Sequence, residues 1–225
     1  MSGEPVEALT AGPGRELADR VEARPVLHSE VALKGMVWDV VRDRVDLGDA
    51  GEVTREYVRH PGAVAIAALD DQGRLCVIQQ YRHPARAFEW EIPAGLLDVD
   101  GEPPHRAAAR ELHEEADLVA STWHVLVDYL SSPGGLDEAL RIYLARDLAE
   151  VPHGQRHRRD GEELGMPLAW VALEEVRDAV LAGRVQNSTL TIAALAALAA
   201  RELGWSTLRP AEAAWPRHPA YRAGT

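Results

Sequence analysis

The chain has 225 residues, 46% of them hydrophobic and 27% charged, with a formal net charge of −12. That length and apolar content suit one well-buried domain with appendages, while the acidity disfavours nucleic acid and anionic membranes, which call for a basic patch. No apolar segment approaches membrane-spanning length and the N-terminus lacks the basic and apolar regions of a signal peptide, so the cytoplasm is the expected compartment.

Residues 1–26 scatter Gly, Pro and Glu and read as a loosely ordered extension. Residues 27–60 suit a small β subdomain, with strands at Val37 to Val45 and Val53 to Val58 and a turn marked by Gly48 and Gly51. Residues 61–204 read as the main domain. Its first elements are an apolar strand from Gly62 to Leu69, a hairpin turn at Asp70 to Gly73 and a returning strand from Arg74 to Tyr81. The lone cysteine, Cys76, sits in that returning run and reads as a buried strand residue with no disulfide partner. Pro103 and Pro104 suit a helix start, and the Ala-, Arg-, Glu- and Leu-rich run after them continues it to about Ala116. Further strands fit Trp123 to Tyr129, Leu140 to Ala145 and Leu168 to Val171. A short helix, Leu173 to Ala182, is capped by Gly183, and a longer one, Ser188 to Leu203, starts at Asn187 or Ser188. Residues 205–225, with Trp205, Trp215, Tyr221 and several Pro, form a tail that packs across the domain or a partner. This order predicts an α/β fold in which a mixed β-sheet is sandwiched between α-helices.

The segment Gly95 to Leu118 concentrates the chemistry. On its predicted helix Glu111 and Glu115 stand four residues apart and Glu114 three from Glu111, so their carboxylates project on neighbouring lines of one face. Three acids within one turn repel one another by about a few tenths of a kcal/mol per pair unless a cation intervenes. Hard oxygen ligands are what magnesium and manganese prefer. A solvated acidic face, with Arg110 and Glu114 as an ordinary surface pair, is the alternative reading of the helix alone.

The whole segment resembles the Nudix box, G-x5-E-x7-R-E-U-x-E-E-x-G-U with U aliphatic. Gly95, Glu102, Arg110, Glu111, Leu112, Glu114, Glu115 and Leu118 take its positions. Two departures stand out: six residues rather than five separate Gly95 from Glu102, and Asp117 stands at the second glycine. An extra loop residue costs little chain entropy, though it bears on how Glu102 is oriented, and Asp tolerates the left-handed conformation expected at a helix end. The resemblance implies a Nudix fold with magnesium, or alternatively manganese, on Glu111, Glu115 and Glu114. Glu102 and a backbone carbonyl at Ala94 or Gly95 would assist, and Arg110 would orient the acids.

Outside the box, from roughly Lys34 to Ala200, the layout resembles the bacterial ADP-ribose pyrophosphatase branch of that family. The resemblance rests on Gly62 to Ile66, Gln80-Tyr81-Arg82-His83, Trp90 to Gly95, Ser132-Pro133-Gly134-Gly135, Glu162-Glu163 before Trp170, and Asn187-Ser188. In that branch a proline about fifteen residues past the box marks ADP-ribose preference, and Pro133, followed by Gly134, lies at that distance from Leu118. The resemblance implies that Arg82 contacts the substrate's phosphate or terminal ribose and that Glu91 lies beside the ribose and adenine. A strand-end surface residue and an internal salt bridge are the plain readings of these two. It further implies a homodimer that exchanges N-terminal strands, with Trp38 stacking on the adenine held by the other subunit and Arg55 as a partner arginine; core or interface packing is equally open for Trp38.

If the box acids hold metal, the general base lies elsewhere, and a carboxylate on a flexible loop is well placed to take a proton from the attacking water. The polar loop Ala149 to Gly165 contains Glu162-Glu163. The resemblance puts the base at Glu163, with Glu162 as the near alternative and ordinary solvated loop acids as the plain reading. The implied reaction is metal-dependent hydrolysis of ADP-ribose to AMP and ribose 5-phosphate. Another nucleoside diphosphate sugar or a dinucleotide is the nearest alternative substrate, and a non-catalytic nucleotide sensor is the alternative of a different class.

Overall fold

The computed structural model describes residues 17–159, 161 and 164–218. Three antiparallel strands come first in the chain: β1 (Val26–Lys34), β2 (Asp39–Asp46) and β3 (Glu52–Arg59), paired in that order. Alternation along β2 buries Val41 and leaves Arg42 and Arg44 in solvent. β1 is exposed along its whole length, Val31 and Leu33 included. This sheet is tied to the rest of the chain through Val58, whose N–H donates to the Gly135 carbonyl at 2.9 Å and whose carbonyl accepts from Asp137 N–H at 3.2 Å.

A mixed five-stranded sheet follows, made of β4 (Ala63–Ala68), β7 (Ala94–Leu96), β8 (Leu118–Leu130), β9 (Ala139–Glu150) and β11 (Arg209–Pro210). Its order is β11-β8-β9-β4-β7, with β4 parallel to β9 and the other pairings antiparallel. A third sheet, of order β10-β5-β6, comprises β5 (Arg74–Arg82), β6 (Ala87–Glu91) and β10 (Leu168–Ala172). Three α-helices, α1 (Pro104–Ala116), α2 (Leu173–Leu181) and α3 (Ser188–Glu202), and two short 3-10 helices, Gly48–Ala50 and His153–Gln155, complete the described elements.

β4 explains the layering. Every residue in it is apolar and buried, as a strand covered on both faces requires. Ala65 and Ala67 point into the core that holds α3, whereas Val64 and Ile66 point into the core that holds α1. β9 repeats the pattern, with Ile142 and Leu144 on one side and Tyr143 and Ala145 on the other. Each fully buried Val, Ile or Leu among these contributes about 1.5–3 kcal/mol, and each Ala less. The sheet therefore lies between α1 on one face and α3, backed by α2, on the other, the α/β sandwich that the sequence predicts.

One expectation is corrected. The Asp70 to Gly73 turn is present, closed by Gly73 N–H donating to the Asp70 carbonyl at 3.0 Å, but the strands it joins do not form a hairpin. β4 takes β9 and β7 as neighbours and β5 takes β6 and β10, leaving one isolated bridge between Leu69 and Leu75. A strand apolar on both faces is driven to the covered centre of the five-stranded sheet, and the turn hands the chain to a second sheet.

The C-terminal tail packs across its own domain as far as it is described; Tyr221 lies outside the described residues. β11 pairs with β8, and the Arg141 side chain, 2% exposed, is clasped by that tail. Its guanidinium donates to Asp128 at 2.7 and 3.0 Å, to the Ala213 and Ala214 carbonyls at 2.6 and 3.1 Å, and stands 4.6 Å above the Trp215 ring. Of the expected N-terminal extension, residues 17–25 are exposed and without regular structure, and residues 1–16 lie outside the described residues. No helix among the described residues is long and apolar enough to cross a membrane.

Candidate active site

The site forms where α1 passes behind β7. Pro103 is extended and Pro104 opens the helix, where an absent N–H costs nothing. Ala107, Ala108, Leu112 and Ala116 bury one side of α1, which leaves Arg110, Glu111 and Glu114 half-buried on the others. The helix stops at Asp117, which adopts the left-handed conformation (φ 54°, ψ 36°) and donates its N–H to the His113 carbonyl at 3.1 Å. Glu115, 8% exposed, accepts the Ala94 N–H at 2.9 Å. Gly95 lies so close to Glu111 that a Cβ there would sit 2.1 Å from the Glu111 carboxyl carbon. Strand backbone and helix carboxylate meet only because Gly95 has no side chain.

Arg110 organises the acids. Its guanidinium donates to Glu102 at 3.2 and 3.0 Å, to Glu111 at 2.5 Å and to Glu114 at 3.1 Å. Hydrogen bonding to Glu102, opposed by burial and reinforced by the charge of Glu111, holds the guanidinium above its ordinary range. Among the described residues no three His, Cys, Asp or Glu side chains form a ready-made metal-binding group, and the Arg110 cation lies among the acids. The donor chemistry still fits a hard divalent ion: four glutamates and nearby backbone supply only oxygens, and the missing Gly95 side chain leaves the strand backbone open beside Glu111.

A cleft of about 680 Å³ opens at Ala94 and Gly95, a size typical of small-molecule sites. It runs on to Arg82, Glu91, Trp38 and Asn187. Arg82 and Glu91 form a two-pronged ion pair at 2.7 and 2.7 Å, with Glu91 5% exposed. Trp38 stacks on His60 with ring centroids 4.2 Å apart and planes 20° from parallel. His60 in turn meets Glu138 at 3.1 Å. Burial, outweighing the attraction of Glu138 and Asp137, lowers the His60 pKa from its ordinary value.

The structure thus brings Ala94, Arg82, Glu91 and Trp38 to one cleft, with Glu102, Arg110, Glu111, Glu114 and Glu115 clustered at its Ala94–Gly95 end. It does not bring Arg55 there: that side chain is exposed on β3 and bonds the Thr54 carbonyl at 3.0 Å. Pro133 and Gly134 are exposed in a turn closed by Gly135 N–H on the Ser132 carbonyl, outside the cleft wall. Glu162 and Glu163 lie outside the described residues. Sequence reasoning missed His60, Glu89, Tyr129, Glu138 and Thr189 as cleft residues. Asn187 and Ser188, also in the cleft, carried a signal as helix-start residues; Asn187 caps α3 through its side-chain oxygen and donates to Glu89 at 3.3 Å.

The NUDIX domain pattern matches residues 58–191. Over 86% of its length the chain is 45% identical to the ADP-ribose pyrophosphatase of Mycobacterium tuberculosis, covering 91% of that protein. It is 32% identical to the methanol dehydrogenase activator of Bacillus methanolicus, over 74% of this chain and 88% of the relative. Its fold is similar to that of a solved ADP compounds hydrolase, with a TM-score of 0.67 at 19% identity over 84% of this chain and 99% of the other. With a pattern that spans more than half of its length and a relative 45% identical over most of both chains, the chain belongs to the NUDIX domain family.

Proposed function

We propose that this protein is a Nudix hydrolase of ADP-ribose, which splits the diphosphate with water to give AMP and ribose 5-phosphate. One observation carries the reading: a single cleft runs from Ala94 and Gly95, which adjoin the box acids, to Arg82, Glu91 and Trp38. That distribution suits a ligand with a diphosphate at one end and a flat base at the other, where the Trp38–His60 stack offers an aromatic surface. The similarity to the mycobacterial ADP-ribose pyrophosphatase supports the same substrate.

Magnesium, with manganese as the alternative, would be held by Glu111, Glu115 and Glu114, with Glu102 and the Ala94 carbonyl as further donors. When bound, such ions neutralise diphosphate charge and acidify a water molecule. Arg110 orients Glu102, Glu111 and Glu114 and offsets their mutual repulsion. Arg82, braced by Glu91, supplies positive charge to a substrate that the overall charge of −12 would otherwise repel. Glu163, with Glu162 as the alternative, takes the proton of the attacking water. The water oxygen adds to one phosphorus while the bridging oxygen departs with the other phosphate.

The same reading includes a homodimer, in the cytoplasm. β1 leaves Val31 and Leu33 exposed, and Met36 and Val37 continue that apolar surface beyond it, which a second copy would cover. Arg55, remote from its own cleft, would serve the partner's; Trp38, which lines its own chain's cleft rather than reaching toward another subunit's, would close over the adenine there; and Pro133 and Gly134 would border the substrate from their exposed turn. Turnover of ADP-ribose, GDP-mannose and NADH compared side by side tests the substrate. ADP-ribose is expected to be fastest; faster cleavage of another compound would reassign the substrate, and no cleavage of any would favour a nucleotide-binding sensor.

A further inference from the structure

The departure from the box at Asp117 has a partner. Arg159, in the connection between β9 and β10, donates its Nη2 to an Asp117 carboxylate oxygen at 2.7 Å and its Nε to the Glu114 carbonyl at 3.2 Å. The Asp117 and Arg159 side chains are largely buried, 14% and 25% exposed, so the ion pair is shielded from solvent. A glycine at position 117 would end the helix equally well at φ 54° but would offer Arg159 no carboxylate. The chain elsewhere in this connection is fixed at Val151, whose N–H donates to the Asp117 carbonyl at 2.8 Å, and at Pro167, whose carbonyl accepts Gln79 N–H at 2.9 Å. Arg159 lies between these two points, four residues before Glu163.

We propose that Asp117 and Arg159 are positioning residues, an anchor that ties the loop bearing the general base to the C-terminal end of the acid-bearing helix. The inference rests on the assignment of the base to Glu163 or Glu162. Arg159 is four residues from Glu163, a span of at most about 14 Å of extended chain, so fixing Arg159 limits how far the acid can stray from the end of α1. Without the anchor the base still reaches the water, but from a broader set of loop conformations, and fewer of them are productive. The loss falls on kcat, because neither Asp117 nor Arg159 lines the cleft.

Asp117→Gly and Arg159→Ala are each expected to lower kcat about ten-fold with KM changed less than about two-fold. The double variant should be no slower than either single one, and Arg159→Lys should recover part of the loss. A nitroxide attached at His157→Cys provides a readout independent of turnover and of metal. His157 is exposed, whereas the native Cys76 is buried with its thiol pushed up to about 12 by desolvation, so the label goes to the loop. The label should be more mobile in Asp117→Gly than in the parent. Unchanged label mobility in Asp117→Gly would overturn the anchor itself. Changed mobility with parental kcat would overturn its catalytic role, and full additivity of the two substitutions would overturn their pairing. Glu163→Gln and Glu162→Gln, measured alongside, test the base separately: if both stay active the base assignment fails, while the label still reports on the anchor.

Discussion

Gly95 and Glu111 touch: the strand glycine packs its Cα against the helix carboxylate so closely that a Cβ would stand 2.1 Å from the carboxyl carbon and from Oε1. The neighbour at risk is thus the end of a side chain that Arg110 already holds at 2.5 Å. Gly95→Ala is expected to displace Glu111, cost about 1–3 kcal/mol of stability, and lower ADP-ribose turnover about 100-fold. Denaturant unfolding and initial rates check both. A variant with parental rates would show that the position of Glu111 does not matter.

Arg82 and Glu91 should respond unequally to truncation. Glu91 is 6% exposed at its side chain and Arg82 44%, so Arg82→Ala strands a buried carboxylate whereas Glu91→Ala leaves the guanidinium in reach of water. Arg82→Ala is expected to cost about 1–3 kcal/mol and Glu91→Ala less, as read by chemical denaturation, and Arg82→Ala should also raise KM for ADP-ribose. Equal stability losses would contradict the asymmetry.

His60 gives the fold a pH dependence of definite sign. Burial holds its folded pKa below the ordinary 6.5, so as pH falls the unfolded chain takes up the proton first. Its contribution to stability is therefore intact above about pH 6.5 and is lost as pH falls from there through the folded value. Thermal melts between about pH 8 and about pH 5 should show a shallower loss for His60→Gln than for the parent. Parallel curves would contradict this assignment.

Asp128 pairs with two arginines, Arg141 at 2.7 Å and Arg209 at 2.9 Å, and Arg141 is 2% exposed. Asp128→Ala leaves that buried guanidinium without a carboxylate, its other partners being the Ala213 and Ala214 carbonyls, Tyr143 and the Trp215 ring. A loss of about 3–5 kcal/mol is expected from equilibrium unfolding. A loss below about 1 kcal/mol would mean that these other contacts alone satisfy Arg141.

The helix that carries the acids was legible because its signals are local: two prolines at its start, a run of strong helix formers, and an Asp able to turn left-handed at its end. The necessity of Gly95 was visible only as a motif position, since its cause is a contact with Glu111 across a strand and a helix. The turn after β4 was equally legible, but the sheet each flanking strand joins is decided by distant partners, Leu140 to Ala145 for β4 and Leu168 to Ala172 for β5. His60 with Glu138 and Asp117 with Arg159 are long-range pairs of ordinary polar residues. Nothing in local composition distinguishes them from surface charges.

Product chromatography of ADP-ribose incubated with the parent protein and with Glu115→Gln, each in magnesium and in chelator, tests the central claim most directly. The glutamine can still accept the Ala94 N–H, so the substitution removes charge while the fold is kept. The account predicts AMP and ribose 5-phosphate from the parent in magnesium only, and a rate at least about 100-fold lower for Glu115→Gln. Cleavage that survives the chelator, or a Glu115→Gln rate within a few-fold of the parent, would contradict it.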